Sequence, residues 1–279
     1  MAYAAQGSMA LTAPAPAHDA AGSWLRTVGW NVFPFVVVGG IWEIVAHAGV
    51  FPPALFPTLE RVAATFVNLT ISGILPRHAI ETLLRLLSGF ALAAVFGVGL
   101  GLIMGRSRAA EDYLLPIVST LAPIPGLAYT PLFLLWFGPG DVTTVLLVGF
   151  VSCFAVIYNT WTGVKAVKEI WLRSAQSMGA DDRRLFRKVI LPGALPYIFS
   201  GLRLGLAQAW RVLVAVEMLA AVNWGLGWLI FGARKFLNTD AMLAGIVVIA
   251  IIGLALERLV FKRLEDYTVV RWGMMGSGT

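Results

Sequence analysis

Apolar runs of about 20 residues, each ended by a polar, turn-rich stretch, recur along this chain and decide what it can fold into. That is the length an α-helix needs to cross ~30 Å of hydrocarbon; a transmembrane barrel would instead alternate polarity over segments of about ten residues. Of 279 residues, 58% are hydrophobic and 13% charged, too little polar surface to coat a soluble globule of this size. The chain is therefore expected to be all-α and polytopic, with about six transmembrane helices near 30–48, 83–104, 113–137, 142–161, 196–220 and 241–261.

Two of these runs carry more than length. Around 83–104, Gly89, Gly97, Gly101 and Gly105 fall at four- or eight-residue spacing, which lets a neighbouring helix approach closely. The run "YLLPIVSTLAPIPGLAYTPLFLLWF", residues 113–137, has prolines at 116, 123, 125 and 131 and predicts a broken helix. Interrupted backbone at membrane depth must be buried in protein or line a cavity. Residues 1–29 are Ala/Pro/Gly/Ser-rich with one Arg and lack the basic start and apolar core of a signal peptide, so a disordered cytoplasmic tail is expected there. The membrane domain then covers 30–271, with its core at about 77–262, and 272–279 form a C-terminal tail.

Lys and Arg set the orientation. With the N-terminus inside, fourteen lie in inner segments: Arg26, Arg106, Arg108, seven between Lys165 and Lys188, and Arg258, Lys262, Arg263 and Arg271. Five lie outside: Arg61, Arg77, Arg85, Arg234 and Lys235. Both termini are therefore expected in the cytoplasm. This bias accounts for the net charge of +6 without a nucleic-acid partner. The single cysteine, Cys153, sits in an apolar run, which excludes an internal disulfide and leaves a small buried hydrophobe.

Between the fourth and fifth runs the pattern becomes amphipathic. Val167, Ile170, Trp171, Ser174, Ala175 and Met178 share one face of a short helix. Gly179 follows where helices close on a left-handed residue. Asp181 and Asp182 then suit the first turn of a second helix with Leu185, Phe186, Val189 and Ile190 on its apolar side, and Pro192 is expected to stop it. The result is a basic helical hairpin over about 165–192. Taken alone, such a pair could rest on anionic lipid.

Its spacing resembles the cytoplasmic signature loop of permease subunits of ATP-binding-cassette importers, which reads E-A-A, three residues, G, nine residues, I, one residue, L-P. Gly179 is followed by nine residues and then by Val189, Ile190, Leu191 and Pro192; the E-A-A triplet falls on Arg173, Ser174 and Ala175, so its Glu is missing. "PALFPTLERV", "HAIETLLRLLSGFALAAVFGVGLGLIMG", "PIPGLAYTPLFLLWFGPGD", "IFSGLRLGLAQAWRVLVAVEML" and "GLGWLI" look like the nitrate, sulfonate, taurine and bicarbonate group of these permeases, over roughly 30–271.

The resemblance implies a type I ABC importer permease fold in a bacterial cytoplasmic (inner) membrane. It also implies a second permease copy, two ABC ATPase subunits, and an extracytoplasmic solute-binding protein with which selection mostly rests, leaving nitrate, sulfonates, bicarbonate, pyrimidines and aromatic acids open. The chain has no G-x-x-x-x-G-K-[ST], so it is expected to bind no cofactor and to leave ATP and Mg to the ATPase. The ATPase-coupling residues implied are Arg173, Ser174, Ala175, Gly179, Ala180, Asp181, Leu185, Phe186, Leu191 and Pro192.

Charges inside spans are costly and mark candidates for the pathway. Arg211 and Glu217 of the fifth run qualify, and lie about 120° apart around a helix, which argues against a direct pair. Arg211 favours an anion; Glu217 suits a structural or gating role; Glu43 in the first run suits a packing contact. The break at Pro123, Pro125 and Gly126 is a candidate pore wall. The competing class is an ion-coupled secondary transporter or channel, but acidic residues within the spans are few and no internal repeat is visible.

Overall fold

A computed structural model describes residues 20–220 and 222–261. Residues 1–19 of the tail expected at 1–29, and the C-terminal stretch with Lys262, Arg263 and Arg271, lie outside the described residues. Contacts divide the chain into two units at Pro53 and Ala54. The first contains α1 (Ala20–His47), which begins well before residue 30, so 20–29 are helical rather than tail. Within it the Glu43 carboxylate approaches the His47 ring at 3.3 Å, one turn on.

The second unit runs through α2 (Leu59–Ile71), α3 (Ile74–Arg106), α4 (Arg108–Leu121), α5 (Thr130–Phe137), α6 (Asp141–Lys165), α7 (Glu169–Ser177), α8 (Asp182–Leu185), α9 (Leu191–Glu217), α10 (Leu226–Lys235) and α11 (Thr239–Ala255). No strand occurs among the described residues. Four helices are long and apolar enough to cross a membrane, Ile74–Arg106, Asp141–Lys165, Asp182–Glu217 and Thr239–Arg258. The bent pair Arg108–Leu121 and Gly126–Phe137, turning through 96°, makes up to five. In α1 the apolar part, Val32–His47, is shorter than these.

The core is a three-helix body with α6 in the middle. Gly97 and Gly101 of α3 put backbone against Val156 and Thr160 of α6. On an adjoining stripe of α6, Gly163 faces Tyr197, while Gly201 and Gly205 of α9 face Asn159 and Val156. Small residues at this spacing replace the hydrophobic drive that lipid cannot supply with close van der Waals contact. Leu147, Val148, Leu213 and Val216 fill the α6–α9 seam, and Cys153 is buried among Ala93, Phe154 and Ile157.

Two expectations need correction, and two helices were not foreseen. Helix α3 starts at Ile74, not near 83, and so contains both Arg77 and Arg85, which the Lys and Arg count had placed on the outer side. The short helices α2 and α10 are too short and too polar to register as apolar runs; α2 is set by its cap, with Thr58 Oγ1 accepting from the Arg61 amide. Pro192 does not stop the hairpin's second helix. A π-turn over Phe186–Ile190 lets the Leu191 amide donate five residues back to Phe186, and the widened register takes Pro192 into the first turn of α9 without a break.

Candidate functional site

The hairpin is built by local chemistry. Helix α7 ends in a Schellman closure: the Ala180 amide donates to the Ala175 carbonyl at 3.0 Å and the Gly179 amide to Gln176 at 2.9 Å, with Gly179 at φ +80°. Asp181 then caps the next helix, its Oδ1 accepting from the Arg184 amide at 2.9 Å. Ala175 and Leu185 are buried, Ala180 and Phe186 half-buried, and Leu191 and Pro192 half-buried where the hairpin enters α9. Ser174 and Arg173 are exposed, and Arg173 binds Glu169 one turn earlier at 2.7 Å, so the helix keeps a carboxylate although the signature position lacks one. The end of α3 touches the hairpin, with Arg106 3.8 Å from Asp182 and over the Phe186 ring.

Inward packing by Ala175 and Leu185 turns Ile170, Trp171 and Met178 outward; Met178 is 81% exposed. These three were legible on the amphipathic face of α7, but their outward direction was not. Around them stand exposed Arg173, Arg183, Arg184, Arg187 and Lys188.

At the bend between α4 and α5, Pro123 and Pro125 are exposed while Gly126 is buried, with no room for a side chain between Val151 and Val212. The Tyr129 hydroxyl donates to the Leu121 carbonyl at 2.9 Å and staples the two arms. Arg211, one residue before Val212 on α9, is exposed and its Nε donates to the Ala207 carbonyl at 3.1 Å.

Glu217 behaves differently. It is fully enclosed in the subunit and is bound by Arg85 Nη1 at 2.8 Å, Thr82 Oγ1 at 3.0 Å and the Gly227 amide at 3.0 Å. It is thus an enclosed partner of Arg85, and its side chain borders no exposed surface of the chain. Arg85, itself buried, also donates through Nε to Asp141 at 2.8 Å. Sequence reading missed this ion pair because its partners lie 132 and 56 residues apart, and helical spacing reports only neighbours three or four apart.

The bundle, its bent helix and its end hairpin fit one family of models. That of the binding-protein-dependent transport system inner membrane component matches residues 97–266. The chain belongs to this family. It is 39% identical over 253 residues to the taurine transport system permease protein TauC of Escherichia coli (strain K12), covering 87% of this chain and 90% of that one. It is 34% identical over 250 residues to the putative aliphatic sulfonates transport permease protein SsuC of Bacillus subtilis (strain 168), covering 88% and 89%. The fold is similar to that of a chain of the MetNI methionine ABC transporter, with a TM-score of 0.61 at 18% identity over 70% of this chain and 96% of that one.

The binding-protein-dependent transport component is thus the membrane-spanning permease subunit of an ABC importer. Its function is transport rather than catalysis: ATP hydrolysis belongs to a separate ATPase subunit, and solute arrives on a binding protein. Family membership displaces the ion-coupled carrier as the alternative.

Proposed function

We propose that this permease works as one of two identical copies in a bacterial cytoplasmic membrane, seats its hairpin on an ATPase subunit, and imports a small sulfonate-type anion delivered from outside. ATP and Mg belong to the ATPase, and this chain holds no cofactor. The observation that carries the coupling assignment is the apolar trio Ile170, Trp171 and Met178, turned outward by inward packing of Ala175 and Leu185. An ATPase groove would bury that trio, while the surrounding cations supply rim contacts and steering. The register from Gly179 to Leu191 and Pro192 favours this partner over a lipid surface.

Orientation rests on the excess of Lys and Arg on the hairpin side. Helix α9, with 27 residues and about 40 Å of length, carries the chain from the hairpin to the opposite end, and Asn238 precedes the helix that returns. Cysteines introduced singly at Asp181 and Asn238 are expected to differ: an impermeant thiol reagent applied to intact cells labels position 238 and spares 181. Labelling of both from outside would defeat this topology.

Pro123 and Pro125 expose interrupted backbone on a single chain, which at membrane depth calls for a protein neighbour or a water-filled path. A second copy around a shared pathway provides both. Arg211 is an exposed cation beside this bend, and relatives named for taurine and aliphatic sulfonates point to an anion there. Arg211→Ala is expected to lower uptake of a sulfonate at least tenfold with the permease–ATPase complex intact. Disappearance of the complex from the membrane would make Arg211 structural instead.

A further inference from the structure

The buried ion pair lies at the opposite end of the three-helix body from the hairpin. Helix α9 begins at the hairpin and ends at Glu217, and α3 reaches the hairpin at Arg106 and contains Arg85 in its other half. Between Glu217 and α10, Ala220 is held by backbone, its carbonyl accepting from the Gly140 amide at 2.8 Å, while residues 224–227 are held by side chains of α3 and α9. Thr82 Oγ1 accepts from the Leu226 amide at 2.8 Å while donating to Glu217, and Glu217 accepts from the Gly227 amide. The His78 Nδ1 lies 2.8 Å from the Gly225 amide nitrogen, and the Trp224 ring meets His78 at a 54° tilt with Arg77 3.9 Å above the indole. There is no slack: a methyl group at Gly225 would stand 2.6 Å from the Glu217 carboxyl carbon.

We propose that Arg85 is a positioning residue of the transport cycle, which by holding Glu217 makes segment 222–227 part of the same rigid body as α3, α6 and α9, so that movement imposed at the hairpin is delivered to that segment. A buried guanidinium bonded to carboxylates on two further helices fixes one geometry, because leaving it strands charge in a dry interior. The glycine seams supply the stiff middle of the same lever. This inference rests on the reading that the ATPase acts at the hairpin.

The test uses the whole transporter in vesicles, with a spin label on Asn223→Cys or on Arg183→Cys in a Cys153→Ala background, with and without vanadate-trapped nucleotide. Arg85→Met/Glu217→Gln removes both charges and strands neither. It is expected to keep the nucleotide response at 183, lose that at 223, and lower uptake at least tenfold at a membrane level within twofold of the parent. Thr82→Val is isosteric and keeps both charges; it is expected to weaken the response at 223 and lower uptake about fivefold, so the proposal remains testable if the double variant does not assemble. An undiminished response at 223 in whichever of these variants assembles, or parental uptake there, overturns the proposal alone. No nucleotide response at 183 in the parent overturns the hairpin reading, and this inference with it.

Discussion

Gly179→Val will leave the permease in the membrane and strip it of its ATPase, or leave the ATPase hydrolysing without regard to the loaded binding protein. The backbone of Gly179 sits at φ +80°, where a β-branched residue is strained by about 1–2 kcal/mol. Relief of that strain means opening the Schellman closure that ties Ala180 to Ala175, and the closure is what aims α7 against the π-turn at Phe186–Ile190. A strain of this size is a factor of about 5–30 in the population of the closed hairpin. The glycine seams of α3, α6 and α9 are elsewhere, so insertion survives.

No clash within the subunit contributes, since a Cβ at Gly179 would meet nothing of this chain within 4 Å. A graded series therefore separates conformation from bulk: asparagine, which tolerates the left-handed region, retains coupling, alanine falls between, and valine is worst. Co-purification of the ATPase and the ratio of stimulated to basal hydrolysis are the measurements. Normal uptake with normal stimulation in Gly179→Val would remove the coupling role and return the hairpin to the lipid surface.

What could be read from the sequence was what is local. Runs of apolar residues located the long helices, the prolines at 123 and 125 located the break, and the order Gly179, Asp181 located a turn followed by a cap, because each of these effects acts within one or two helical turns. Pro192 misled for a related reason. The rule that proline ends a helix assumes α-register on both sides, and the π-turn over Phe186–Ile190 changes that register just before it. The Arg85–Glu217 pair was illegible altogether. Arg85 looks like any basic residue near the end of a span, and only the packing of α3 beside α9 turns it into the partner of a carboxylate far along the chain.

The second large effect is expected from the α3–α6 seam. A Cβ at Gly97 would lie 2.6 Å from Val156 Cβ, and one at Gly101 would lie 2.5 Å from Thr160 Cβ, about 1 Å inside ordinary carbon–carbon contact. These neighbours are branched at Cβ and cannot swing aside, so a side chain has to push the helices apart. Separation would cost contacts along the whole seam, where lipid offers no compensating hydrophobic force, and overpacking of this kind costs about 1–3 kcal/mol per site. Gly99 is the internal control: it lies between the two in sequence on the same helix, and a Cβ there meets nothing within 4 Å. Gly97→Leu and Gly101→Leu are expected to lower the membrane level of the permease tenfold or more, while Gly99→Leu stays within twofold of the parent. The three substitutions match in residue type, hydrophobicity and helix propensity, so only the closeness of α6 distinguishes them. Equal levels for all three variants on a membrane immunoblot would mean that α3 and α6 do not pack backbone to backbone along this face.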